Sequence, residues 1–278
     1  MLVRITVCTA MLLTLAVGSS SAQPADPNPG AITLTTGLDI PSVYFFRGIR
    51  QEADPKITMF PYGDVGIALF TGDGAVKSAS VNFGVWNSLH TGSSGTGGGK
   101  KSHYEEDFYS TLSLGFARGI TFGTTYTAYT SPNDSFGTVK EISLKLSQAS
   151  KYAPYGLVAF ELSGQADAAA EKGTYGEFGV APSWPLAAGK ATLAIPVKVG
   201  LSLKDYYEGA FGDSMFGYFD IGALVTVPLT RIDSKFGSWN VHGSVDYLYF
   251  GGDESTTRAF NNGDAGQAIV IGGIGFTY

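Results

Sequence analysis

Apolar and polar side chains alternate with period two along most of this chain, in segments that recur about every 20 residues. Twelve such segments stand at 31–49, 56–70, 76–89, 104–117, 120–130, 137–148, 154–164, 174–184, 190–203, 215–228, 237–250 and 266–278. Successive side chains of a strand point to opposite faces, so each segment has one apolar and one polar face. The ninth sends Ala191, Leu193, Ile195, Val197, Val199, Leu201 and Leu203 one way, and Thr192, Ala194, Lys198, Gly200 and Ser202 the other. The tenth sets Phe219, Ile221, Ala223, Val225 and Val227 against Tyr218, Asp220, Gly222 and Thr226. The last ends on an aromatic, with Ala268, Val270, Ile274, Phe276 and Tyr278 opposite Gln267, Gly273, Gly275 and Thr277. The pattern predicts an all-β chain of amphipathic strands.

The connections sort by length. Thr71-Gly72-Asp73-Gly74, Arg118-Gly119 and Ala187-Ala188-Gly189 are tight turn sequences, all joining an even segment to the following odd one. The odd-to-even connections are longer, among them 90–103, 164–173, 205–214 and 251–265. Short turns at one end and long loops at the other are the layout of a transmembrane antiparallel up-and-down β-barrel, here of about 12 strands over 31–278. The stretch 229–236 breaks the rule, being too long for a minimal turn.

Composition agrees with a chain divided between lipid and water. Charged residues are 15% and aromatics 13%, with 38 glycines, against about a quarter charged in an average soluble domain. The first 22 residues read as a secretory signal: Arg4, an apolar run from Ile5 to Val17, then Ser20-Ser21-Ala22. That run is shorter than the roughly 18 residues a spanning helix needs, and no later run reaches it. Residues 23–30 read as a periplasmic leader. The single cysteine, Cys8, lies inside the signal, which excludes disulfides and thiolate chemistry from the mature chain. The net charge of −6 argues against nucleic acid as a partner.

Candidate chemistry is sparse. Asn240, His242, Ser244 and Asp246 share one strand face, which invites a lipid-hydrolase reading. Neighbours two apart in a strand stand about 6.6 Å apart, and the face is the polar one, away from lipid, so lumen lining is the expected role. The Gly-rich 91–101 stretch lacks the strand-loop-helix context of a phosphate-binding loop. Asp253, Glu254 and Asp264 lack the spacing of an ordered Ca²⁺ loop. No cofactor and no metal is expected. Facing alone assigns Asp64, Asp107, Glu141, Lys145, Glu161, Glu177, Lys198, Asp220, His242 and Asp246 to the lumen, with acids in excess. In a filled barrel such charges pair across the interior, and in a hydrated one they set ion preference.

The segment Ser42-Val43-Tyr44-Phe45-Phe46-Arg47-Gly48-Ile49-Arg50-Gln51 resembles the S-x-Y-x-F-R-G-I-x-Q signature at the start of the TorF-type porins, proteobacterial outer-membrane barrels. The resemblance covers this segment and the general layout, and it implies an outer-membrane channel-like protein with no catalytic residue to carry over. Physically, Arg47 is expected near the outer rim, where it forks to a carboxylate or stands as a snorkelling cation. Phe276 and Tyr278 are expected to form the assembly signal. The expected function is passive passage of small solutes with a cation preference. A lumen-plugged structural or surface-interaction barrel is the alternative, and a lipid hydrolase a more distant one. Expected partners are outer-membrane lipid, the barrel-assembly machinery and small solutes.

Overall fold

The computed structural model describes residues 30–94, 102–167, 171–209 and 212–278. The proposed signal and almost all of the leader lie outside them. Twelve antiparallel staves form the wall: β1 (Ile32–Pro41), β2 (Thr58–Thr71), β3 (Val76–His90), β4 (Ser102–Phe116), β5 (Ile120–Thr130) and β6 (Val139–Gln148). The circuit continues through β7 (Tyr155–Ser163), β8 (Thr174–Val180 and Ser183–Leu186), β9 (Ala191–Ala194 and Val197–Lys204), β10 (Phe216–Pro228), β11 (Ser238–Tyr249) and β12 (Gly266–Thr277). Each pairs with its sequence neighbours, and β12 pairs with β1. The sheet is therefore closed and has no free edge. Closure satisfies the backbone polar groups internally, as a wall facing hydrocarbon requires.

Two staves are interrupted where Pro182 and Pro196 supply no N–H to the ladder. Single bonds bridge the gaps, from Ile195 N–H to Pro182 O at 2.9 Å and from Gly222 N–H to Pro196 O at 2.9 Å. The seam closes between Thr35 and Thr277. Beyond that pair, Leu34 and Tyr278 exchange backbone bonds of 2.7 and 2.8 Å, and Phe276 packs on Trp239 of β11 with ring centres 4.7 Å apart. Deleting residues 276–278 removes the end of this ladder and the aromatic contact together. The truncated chain is expected to give much less heat-modifiable folded protein. Normal yield on a semi-native gel would remove 276–278 from any assembly role.

The outer surface is a band of exposed apolar side chains, among them Val65, Phe83, Phe108, Leu112, Phe178 and Val225. The inner surface differs between its two halves. Towards the short turns it carries small polar residues such as Thr111, Ser113, Thr125 and Ser143. Towards the long loops it is filled with aromatics.

That filling corrects the first stave. β1 ends at Pro41, well short of the expected 49, and residues 42–57 turn into the barrel. Phe45–Phe46 pairs with Ile49–Arg50 around Arg47 and Gly48, whose φ values of 48° and 81° are those a two-residue hairpin turn needs. A Cβ on Gly48 would stand 2.8 Å from the Tyr218 ring across the lumen, so glycine is also required for the close approach. Glu52–Asp54 then pairs with Ser93–Ser94 beyond β3. The connection 229–237, unexplained by the short-turn rule, is a folded turn. It holds a 3₁₀ segment, Ser234–Phe236, whose Asp233 side chain accepts from Lys235 N–H.

Candidate functional site: a plug above a charged belt

The plug alternates like a strand, but both of its faces meet protein. Val43, Phe45 and Ile49 join Tyr206, Tyr207 and Phe250 from two other long loops, together with Tyr175, Tyr218, Leu248 and Ile269 of the wall. Tyr44 points the opposite way, into Phe60, Trp86, Tyr104 and Tyr109 on β2 to β4. Its ring meets Phe60 edge-on at 5.0 Å.

Polar groups fasten the plug at several points, three of them centred on buried carboxylates. Arg47 Nη1 and Nη2 donate to Glu141 Oε2 and Oε1 at 2.6 and 2.8 Å, a bidentate fork from the plug to β6. The guanidinium also lies 4.2 Å from the Tyr175 ring centre and donates to Tyr206 Oη at 2.9 Å. Both partners of the fork are buried, with side-chain exposures of 7% and 3%. Arg47 thus occupies the interior and not a rim, because its stave ended six residues earlier and the hairpin carried it inward. Burial alone would lower its pKa, but the facing Glu141 charge more than offsets this, and Arg47 stays charged.

The second fastening is Glu52, which accepts from Tyr44 N–H at 2.7 Å and from the Thr58 hydroxyl. Burial pushes its carboxyl above the ordinary range, and those two hydrogen bonds pull back. The third is the Tyr44 hydroxyl, which donates to Glu105 at 2.9 Å. Glu105 and its neighbour on the same face, Asp107, are both buried. Glu161 serves another loop, accepting from the backbone N–H of Ala166 and Gly173 at 2.7 Å each.

Below the plug, charged side chains of successive staves make a belt. Lys145 on β6 lies 4.5 Å from the Tyr155 ring centre on β7. Tyr155 donates to Glu177 on β8 at 2.6 Å, and Glu177 also accepts from Tyr175 at 2.5 Å and Tyr218 at 2.9 Å. Lys198 on β9 stands 3.4 Å from Asp220 on β10. On β11, Asp246 accepts from Ser244 at 2.7 Å, and His242 Nε2 meets Asp39 of β1 at 2.7 Å. Asp64 on β2 continues the circuit by accepting from Asn82 at 2.6 Å. A chamber of ≈ 50 Å³ lies where plug and belt meet, lined by Val43, Phe45, Arg47, Lys198, Asp220 and Asp246 among others.

The ten side chains predicted from facing therefore divide into two groups. Glu141, Glu161 and Asp107 belong with the loops, and Asp64, Lys145, Glu177, Lys198, Asp220, His242 and Asp246 with the belt. Sequence reasoning missed Asp39, which period two on β1 would have found. It also missed Glu105, which shares the face of Asp107 and which the same alternation would have found, and Glu52 and Tyr206, for which alternation gives no signal of the plug. Ser244 bonds to Asp246 and His242 to Asp39 and Asn240, so Ser244 and His242 do not couple with each other. Among the described residues no cluster of three or more His, Cys, Asp or Glu suits a metal ion.

No protein-family model matches the chain, and no curated protein matches it in sequence. Solved structures do resemble it. The translocator domain of the autotransporter NalP from Neisseria meningitidis is 14% identical at a TM-score of 0.41, with 91% of this chain and 90% of that one covered. The NanC porin is 11% identical at 0.40, with 88% and 99% covered. OmpF of Salmonella typhi, in a complex with daunomycin, is 9% identical at 0.41, with 89% and 97% covered. The fold assignment rests on the chain's own closed ladder of strands: it is a twelve-stranded antiparallel β-barrel.

Proposed function

We propose that this protein is a porin-like outer-membrane barrel that passes small solutes, preferring cations, and whose long-loop half is closed by residues 42–57 until that segment moves. The supporting observation is the belt, where Asp39, Asp64, Glu177, Asp220 and Asp246 stand against Lys145 and Lys198 in a confined interior. Several acids so confined raise the local cation concentration and disfavour anions. The exposed apolar band favours a lipid surround, since soluble monomers rarely expose contiguous patches beyond a few hundred Å². The short turns then face the periplasm and the long loops the outside. In this reading outer-membrane lipid and the barrel-assembly machinery are its partners, and it is not an enzyme.

A planar bilayer tests the reading. The wild-type protein is expected to give small, cation-preferring current steps. The triple variant Asp64→Asn/Asp220→Asn/Asp246→Asn should conduct with less preference, and the difference should shrink near 1 M salt, where screening shortens to about 3 Å. Anion preference in the wild type would refute the assignment. A second reading, a plugged barrel that serves only as a structural or surface-interaction element, is favoured by the density of the plug, in which Phe250 and Tyr207 are wholly buried. It predicts silence from the wild type and from every variant that loosens the plug.

A further inference from the structure

The chain is acidic overall, yet the sign of its charge balance differs between the two ends of the barrel. The five short turns, with Lys77 at the adjoining start of β3, carry Lys77, Arg118, Lys151, Lys190, Arg231 and Lys235, against only Asp73 and Asp233. Four of the turns hold a cation, and Lys77 at the start of β3 donates back to Asp73 O of the remaining one at 2.7 Å. At the opposite end the segments 42–57, 91–101, 131–138, 164–173, 205–215 and 250–265 together carry eleven acids against seven cations, the excess being greatest in 205–215 and 250–265, where Asp205, Glu208, Asp213, Asp253, Glu254 and Asp264 stand against Arg258. Closing a barrel does not require this polarity, because any polar residue serves in a tight turn.

The cations sit beside exposed aromatics. Lys151 lies 5.6 Å from the Trp184 ring centre, and Tyr152 next to it is exposed. Lys235 lies 4.9 Å from the ring of Phe236, itself 60% exposed. The long turn 229–237 is the densest part of the pattern. It exposes Ile232 and Phe236, which directly follow Arg231 and Lys235, and the indole N–H of Trp239 donates to Phe236 O at 2.9 Å, holding the turn against the outer face. Trp239 in turn packs on Phe276, in continuity with the apolar band. Aromatics at this level seat in a membrane interface, and a row of Lys and Arg beside them meets the lipid phosphates.

We propose that the short-turn rim is a binding surface for anionic phospholipid headgroups of the adjoining leaflet, with Lys151, Arg231 and Lys235 as its principal contacts. This rests on the membrane-barrel reading and adds a lipid preference to it. It also gives the oversized 229–237 connection a purpose, since a minimal turn could not present two cations and two apolar anchors together.

Two of the three tryptophans, Trp184 and Trp239, lie at this rim, while Trp86 is buried inside. Full-length protein is folded into phosphatidylcholine vesicles containing a minor fraction of phosphatidylglycerol. The acyl-chain bromine is carried either by the phosphatidylglycerol or by an equal amount of phosphatidylcholine. Brominated phosphatidylglycerol is expected to quench tryptophan emission roughly twofold more effectively, with the ratio falling towards one at high salt and in Lys151→Gln/Arg231→Gln/Lys235→Gln. A ratio of one in the wild type, or a ratio unmoved by both salt and the triple variant, overturns the proposal. The single variants and the wild-type salt titration give the same readout should the triple variant fold poorly. Failure of the membrane reading looks different: no heat-modifiable folded band in either vesicle, and no quenching by either lipid.

Discussion

Arg47→Ala is expected to undock the plug. The substitution leaves the Glu141 side chain buried and without its bidentate partner, and removing one member of a buried ion pair costs about 3–5 kcal/mol. It also removes the cation over Tyr175 and the donor to Tyr206. Because the plug is not part of the wall ladder, the loss should fall on the docking of 42–57 while the barrel itself remains. Limited proteolysis should cut within 42–57 in the variant and spare it in the wild type, and bilayer conductance should rise. An apolar pair, Arg47→Met with Glu141→Leu, should restore protection, since it removes the stranded carboxyl as well as the bond. If Arg47→Ala stays as protected as the wild type, the fork does not hold the plug. Conductance that stays absent despite cleavage would favour the structural reading of the barrel.

Val197→Arg has the second largest expected effect. Val197 lies near the middle of β9 on the outer face, paired with exposed Ile221 of β10. An arginine at the centre of a lipid-facing wall costs about 2–4 kcal/mol. The comparison residue must face inward and have room. Gly200, on the other face of the same stave, does not qualify, because a Cβ there would come within 2.3 Å of the buried Tyr218 ring. Gly123 of β5 does qualify. It pairs with Lys145 and Ser113 on the inner face, and a Cβ there meets nothing within 4 Å. Gly123→Asn should therefore leave the denaturant midpoint of the vesicle-folded protein nearly unchanged, while Val197→Arg lowers it sharply. Equal midpoints for the two variants would mean that the inward and outward faces have been exchanged.

The period of the hydrophobic pattern by itself determined the number of staves, their approximate limits and which residues share a face. A strand between lipid and a polar interior must alternate at every second position, so β9, β10 and β12 carry their orientation in the order of their own residues. The same reasoning placed the belt residues other than Asp39, each of which reads inward on its own stave. It failed at 42–51. Val43, Tyr44, Phe45 and Phe46 are apolar on both faces, the mark of a segment enclosed by protein on two sides, yet a run of aromatic residues after β1 reads locally as more strand. Pro41 ends the ladder there, and the positive φ of Arg47 and Gly48 turns the chain inward. Only the closed tertiary structure could decide that Arg47 meets Glu141, 94 residues away on a stave across the lumen. Alternation says which way a side chain points, but the partner it finds there depends on what the rest of the chain has already folded into the same space.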